Sequence, residues 1–140
     1  MLELAVLCQA MRLFSHSAHH LCARTPFHQD HSFFSDTYQA LDSAYDSVVE
    51  RIIGLYGEDA VELNRIVTEV ALKLHGCPST GVKENKEFYV QQLKFEQELC
   101  KLVETICKHP NVSQGTIQVI ADLGDKSEVR QYKIKQRIKA

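Results

Sequence analysis

The stretch FSDTYQALDSAYDSVVERIIGLYG, residues 34–57, decides the fold class. Its apolar residues Phe34, Tyr38, Leu41, Tyr45, Val48, Ile52 and Leu55 follow one another by three or four. That is the period of an α-helix with one buried stripe. Tyr56-Gly57 predicts its end, with glycine supplying a left-handed cap.

The same period recurs on both sides. Leu2, Val6, Ala10, Leu13, Ala18 and Leu21 are spaced by three to five and predict a first helix over residues 2–23. Arg24-Thr25-Pro26 then reads as a turn. Proline disfavours helix at the residue before it, and Thr-Pro suits an N-cap followed by the first helical position. Residues 58–75, with Val61, Ile66, Val70 and Leu74 apolar, predict a third helical stretch. Gly76-Cys77-Pro78-Ser79-Thr80-Gly81 is the clearest loop of the chain. Residues 82–108 predict a long helix with Leu93, Leu99, Cys100, Val103 and Cys107 on or near one face. His109-Pro110-Asn111 breaks it, and Ser113 caps a last helix running toward Arg137. No segment alternates with period two for long enough to form a strand. The expected fold is an all-α bundle forming one domain over residues 1–140. Four main helices make it up, with a short extra helix in the connection between the second and third.

Composition narrows the function classes. The chain has 140 residues, 44% apolar and 24% charged, which suits one soluble globular domain and excludes a disordered one. A net charge of -2 excludes nucleic-acid binding by overall charge. The five cysteines (Cys8, Cys22, Cys77, Cys100, Cys107) are odd in number and lack CxxC spacing, so they predict free thiols and a reducing, cytoplasmic setting. The N-terminal apolar stretch carries Glu3 and lacks a basic region, so no signal peptide is expected. No apolar run is long enough to span a bilayer.

Four residues carry the chemistry: His19, His31, Asp46 and Glu50. Imidazoles and carboxylates suit iron, manganese or zinc. Asp46 and Glu50 are one helical turn apart and share a face. His19 and His31 lie symmetrically about Thr25, so a hairpin there sets the two imidazoles facing each other. If one helix carries both His31 and Asp46, the 15 intervening steps separate them by ~22 Å at the helical rise. Metal–ligand bonds are about 2 Å long. One chain's histidines and carboxylates therefore cannot hold the same ion. They could meet at one ion only if a second chain packed antiparallel, placing its own Asp46 and Glu50 opposite the first chain's His19 and His31; a two-fold dimer would do this twice.

These residues resemble a known family. The run His19-His20-Leu21-Cys22-Ala23-Arg24-Thr25-Pro26-Phe27-His28-Gln29-Asp30-His31, continued by Ser32-Phe33-Phe34, is similar to the first half of the signature of Dps proteins, the mini-ferritins. The family pattern is a His, a second His twelve on, an Asp fifteen further and a Glu four after that, the spacing of His19, His31, Asp46 and Glu50. Tyr38, Leu41, Asp42 and Glu50-Arg51-Ile52 add to the likeness. It is strongest over residues 19–57 and continues weakly through Gly115-Thr116, Glu128-Val129-Arg130 and Tyr132-Lys133-Ile134. The chain departs from the family at His20, where a Trp is usual, at Arg24, where a Gly is usual, and at Ser35, often acidic; it has no Trp at all.

The resemblance implies a ferritin-like four-helix bundle. It implies two Fe(II) ions at a site shared between subunits, with His19 and His31 from one chain and Asp46 and Glu50, the bridge, from its partner. Electrons pass to hydrogen peroxide or oxygen, and ferric iron is stored in a closed shell, a dodecamer of two-fold dimers, protecting against peroxide. Zinc or manganese suits the same ligands. By region, Asp122, Asp125 and Glu128 on the last helix correspond to the acidic residues lining the family's pores. The basic run Lys133, Lys135, Arg137 and Lys139 offsets the macrodipole of the last helix; the alternative reading is a tail that touches DNA phosphates. A rival of another class is a catalytically relaxed bundle serving as a structural or assembly protein, such as a virion or compartment component.

Overall fold

A computed structural model describes all residues, Met1–Ala140, and every regular element in it is helical. Helix α1 spans Leu2–Leu21, α2 Phe27–Tyr56, α3 Leu63–Leu74, α4 Lys86–Cys107 and α5 Gln114–Lys139. A 3-10 turn, Glu58–Val61, precedes α3. The expected third stretch is thus split. Glu62, between its two parts, accepts hydrogen bonds from the backbone N–H groups of Asn64 and Arg65 and so caps α3 with a carboxylate.

Helix α1 is the most enclosed element. Leu4, Leu7, Met11, Phe14 and Ala18 join the main core, while Val6 and Ala10 face a second, smaller cluster made with Ile66 and Val70 of α3. Two buried faces explain why its apolar spacing is loose. In α2 one stripe is buried, through Phe34, Thr37, Leu41, Val48 and Ile52. Each fully buried Leu or Phe contributes about 1.5–3 kcal/mol relative to exposure.

The contacts define the topology. Phe14 of α1 packs on Phe88 and Phe95 of α4, with ring centroids 6.2 and 5.6 Å apart. The Ala23 N–H donates to Asn85 Oδ1 at 3.0 Å, so the end of α1 meets the start of α4. Asp30 near the start of α2 meets Arg137 near the end of α5. Helices α1 and α2 form one antiparallel hairpin, α4 and α5 another, and α2 and α4 run in the same direction. The connection between them must therefore climb the length of the bundle. The 3-10 turn, α3 and the loop 75–85 do this.

Two glycines are required by their surroundings. Gly57 ends α2 at φ 90°, open to glycine and strained for other residues. A Cβ on Gly124 of α5 would lie 3.2 Å from Val103 Cγ1, so its absence lets α5 close onto α4. At the α1–α2 turn Pro26 itself is the cap residue of α2, which starts at Phe27, and no side chain caps it; the Thr25 cap expected from the sequence does not form. The Thr25–Pro26 peptide is cis. Arg24 sits at φ 63°, in the left-handed region. An exposed non-glycine residue there costs about 1–2 kcal/mol. Arg24→Gly is expected to stabilise the protein by about 1 kcal/mol, part of the relief being offset by the more flexible unfolded chain. Urea unfolding checks this, and an unchanged or lower midpoint contradicts it.

All five cysteines are free. Burial pushes the Cys8 thiol up to about 12, keeping it protonated and inert. Burial, and next the charge of Asp30, also raises Cys22. No helix is long and apolar enough to cross a membrane.

Candidate metal centre

The hairpin brings His19 and His31 together. Their rings stack with centroids 3.8 Å apart and planes 23° apart. Each ring bonds to the backbone of the other residue. His19 Nδ1 donates to the His31 carbonyl at 2.9 Å, and His31 Nδ1 donates to the His19 carbonyl at 2.8 Å. A carbonyl oxygen can only accept, so both Nδ1 atoms must carry the proton. In the neutral rings this leaves the Nε2 lone pair of both imidazoles available. Histidines that bind metals are oriented in this way, by donating the other ring N–H to a carbonyl or carboxylate. Phe27 stacks on His31 at 5.0 Å, and Tyr38 lies 5.5 Å from His19. Tyr38, expected from its spacing to be a core residue, is half-buried against the histidines instead.

Asp46 and Glu50 lie on the exposed face of α2 and make no hydrogen bond or ion pair within the chain. Helix α2 is unbroken from His31 to Glu50, so the ~22 Å between His31 and Asp46 follows from the rise per residue. Within one chain no three His, Cys, Asp or Glu residues converge on a common point. Within one chain the two imidazoles and the two carboxylates thus form two separate pairs. Tyr45, beside Asp46, is half-buried against the core; burial first, then the Asp46 charge, raises its pKa.

Two buried charged networks were not foreseen from the sequence. Asp30, fully buried next to His31, accepts from Tyr89 OH at 2.7 Å, Asn85 Nδ2 at 2.8 Å, and Arg137 Nε and Nη2 at 3.0 and 3.1 Å. Burial alone would raise its pKa. The hydrogen bonds from Arg137, Tyr89 and Asn85, with the Arg137 charge, outweigh it and hold the carboxyl below the usual aspartate value. Asn85 also donates to the Ala23 carbonyl, so one cluster fastens the α1–α2 turn, the start of α4 and the end of α5. Halfway along the bundle, buried Glu96 takes Arg130 Nε at 2.6 Å and Nη2 at 2.8 Å, Gln92 Nε2 at 2.8 Å and Ser127 Oγ at 2.9 Å. The sequence did hold a signal. Asp30 is in phase with Phe34, Thr37 and Leu41, and Gln92 and Glu96 with Leu99 and Val103, so these polar residues sit on the buried stripes.

Arg137 is committed to Asp30 with its side chain 18% exposed, whereas Lys133, Lys135 and Lys139 project into solvent. Of the acidic residues on α5, Asp122 is paired with Lys126 at 2.9 Å, and Asp125 and Glu128 are exposed.

The remaining histidines near the hairpin mouth are His16, His20 and His28. His16 stacks on Tyr38 with centroids 4.0 Å apart and lies 4.6 Å from His20. Desolvation first, then the neighbouring His20, His19 and Arg12, lowers the His16 pKa. His28 sits edge-on to Phe27. No protein-family model matches this sequence, and no curated protein matches it.

Proposed function

We propose that the protein is a Dps-like mini-ferritin that oxidises Fe(II) at a site shared between two subunits and stores ferric iron in a closed shell. The observation that carries this reading is the reciprocal Nδ1–carbonyl pairing of His19 and His31, which holds two imidazoles as metal ligands with their Nε2 lone pairs free. The carboxylate pair on the same helix supports it: Asp46 and Glu50 are exposed, unpartnered and too far along α2 to serve their own chain's histidines. The order of the helices is in keeping with a ferritin-like bundle, since α2 and α4 run parallel and are joined by a long crossover.

In this reading iron is the substrate. His19 and His31 contribute neutral nitrogen donors. The partner's carboxylates contribute negative charge, which favours the ferric over the ferrous state. Each Fe(II) gives up one electron, and two together reduce one hydrogen peroxide, with two protons, to two waters. The protein contributes fixed ligands and access rather than acid–base groups.

The reading requires assembly, because a lone chain holds only half-sites. Light scattering on the purified protein should give a closed oligomer built from dimers, a dodecamer by the resemblance, with Fe(II) added or withheld. A monomer at working concentration contradicts the reading.

A further inference from the structure

We propose a second metal site on each chain, a two-imidazole chelate of His16 and His20 that takes a late first-row divalent ion, Cu(II) foremost. The two residues are one turn apart on α1, so their side chains share one face of it. Their ring centroids are 4.6 Å apart. A metal bound at about 2.1 Å to a ring nitrogen lies about 3.2 Å from that ring's centroid. Two rings bound at a right angle then have centroids about 4.5 Å apart, and at the tetrahedral angle about 5.2 Å. The observed spacing suits adjacent corners of a tetragonal ion, the geometry that Cu(II) prefers, and Cu(II) also stands highest in the affinity order of divalent ions.

The site is pre-arranged on one arm and mobile on the other. His16 is half-buried and held by stacking on Tyr38, with ring centroids 4.0 Å apart. His20 is exposed and free to close. Neither ring makes a hydrogen bond to the protein, so no internal partner must be displaced. His19 cannot turn to join them, because its Nδ1 is held by the His31 carbonyl. The nearest cation, Arg12, is balanced by Asp42 at 3.6 Å. No third protein ligand converges, so water completes the coordination. The site lies within a single chain and does not rest on the shared iron site.

Cu(II) titration of the full-length protein, followed by calorimetry and electron paramagnetic resonance, tests this. With the other imidazole pair broken by His31→Ala, one tight Cu(II) per chain with two equatorial nitrogens is expected. His20→Asn, at an exposed position, should weaken it about tenfold or more and reduce the signature to one nitrogen, because the second arm acts at high effective concentration. His16→Phe, which keeps an aromatic ring on Tyr38, should do the same. His31→Ala should leave this site intact. In the His31→Ala background, tight two-nitrogen Cu(II) binding that survives His20→Asn or His16→Phe overturns the proposal, as does the absence of a tight two-nitrogen class in His31→Ala itself. None of these results bears on Fe(II) oxidation, so the two readings stand or fall separately.

Discussion

His19→Ala and Asp46→Ala are each expected to slow Fe(II) oxidation by at least about a hundredfold, as removal of a direct ligand should exceed the effect of removing its supporting partners. Co-expression of the two variants should restore about a quarter of the activity. The arithmetic follows from two-fold symmetry. Random pairing makes half of the dimers mixed. In a mixed dimer one of the two sites has lost both His19 and Asp46, while the other keeps every ligand. Had the ligands acted within one chain, no combination of these chains would contain an intact set, and recovery would be nil. Stopped-flow absorbance of ferric iron formation measures this. Full loss without recovery, in a preparation where native mass spectrometry demonstrates mixed dimers, refutes the shared site. Both residues are outside the core, so circular dichroism should show an unchanged helical fold.

The second large effect is on stability. Asp30→Ala leaves the Arg137 guanidinium, Tyr89 OH and Asn85 amide without their common acceptor. Removing one partner of a buried ion pair costs about 3–5 kcal/mol. In a domain of this size that lowers the melting temperature by about 10 °C or more. Measurements belong at one protein concentration, since assembly also stabilises. The pH dependence has a definite sign. The folded-state pKa of Asp30 is depressed, so its contribution is complete above the usual aspartate value and is lost as pH falls through the lower folded value. The stability gap between the unaltered protein and Asp30→Asn should therefore hold constant from neutral pH to about pH 4 and shrink below it. A gap under about 1 kcal/mol at neutral pH would mean that the network is not a structural lock.

The helices were legible because their stripes are regular. The α2 pattern from Phe34 to Leu55 predicts an element that the structure runs from Phe27 to Tyr56. Ser113 caps α5 as its position suggests, accepting from the Thr116 N–H. The boundaries at the first turn were less legible, because Pro26 fits both the cap and the first helical position. The His19–His31 pairing could be anticipated from a turn midway between them. Its hydrogen bonding could not, since backbone carbonyls leave no trace in side-chain identity. The buried networks were missed for a related reason. Asp30, Gln92 and Glu96 occupy apolar phases, but a polar residue there can mark either a break in a stripe or a partner arriving from a distant segment, and only the fold brings Arg137 and Arg130 to them. Helix α3 was foreseen as a connection, yet its role in covering Val6 and Ala10 depends on which face of α1 it lies against.

The bond between Asp30 and Arg137 joins positions 107 residues apart. Its length in sequence sets an order of events during synthesis. The turn that presents both histidines is made early, within the first quarter of the chain, but its anchor arrives only with the last turn of α5. A growing chain therefore presents both imidazoles before the Asp30–Arg137 anchor can form, and the turn that carries them is fastened to the rest of the fold only as the bundle closes. Rigidity of the histidine turn is thus tied to completion of the fold, and the pair is fully anchored only after the final helix has docked.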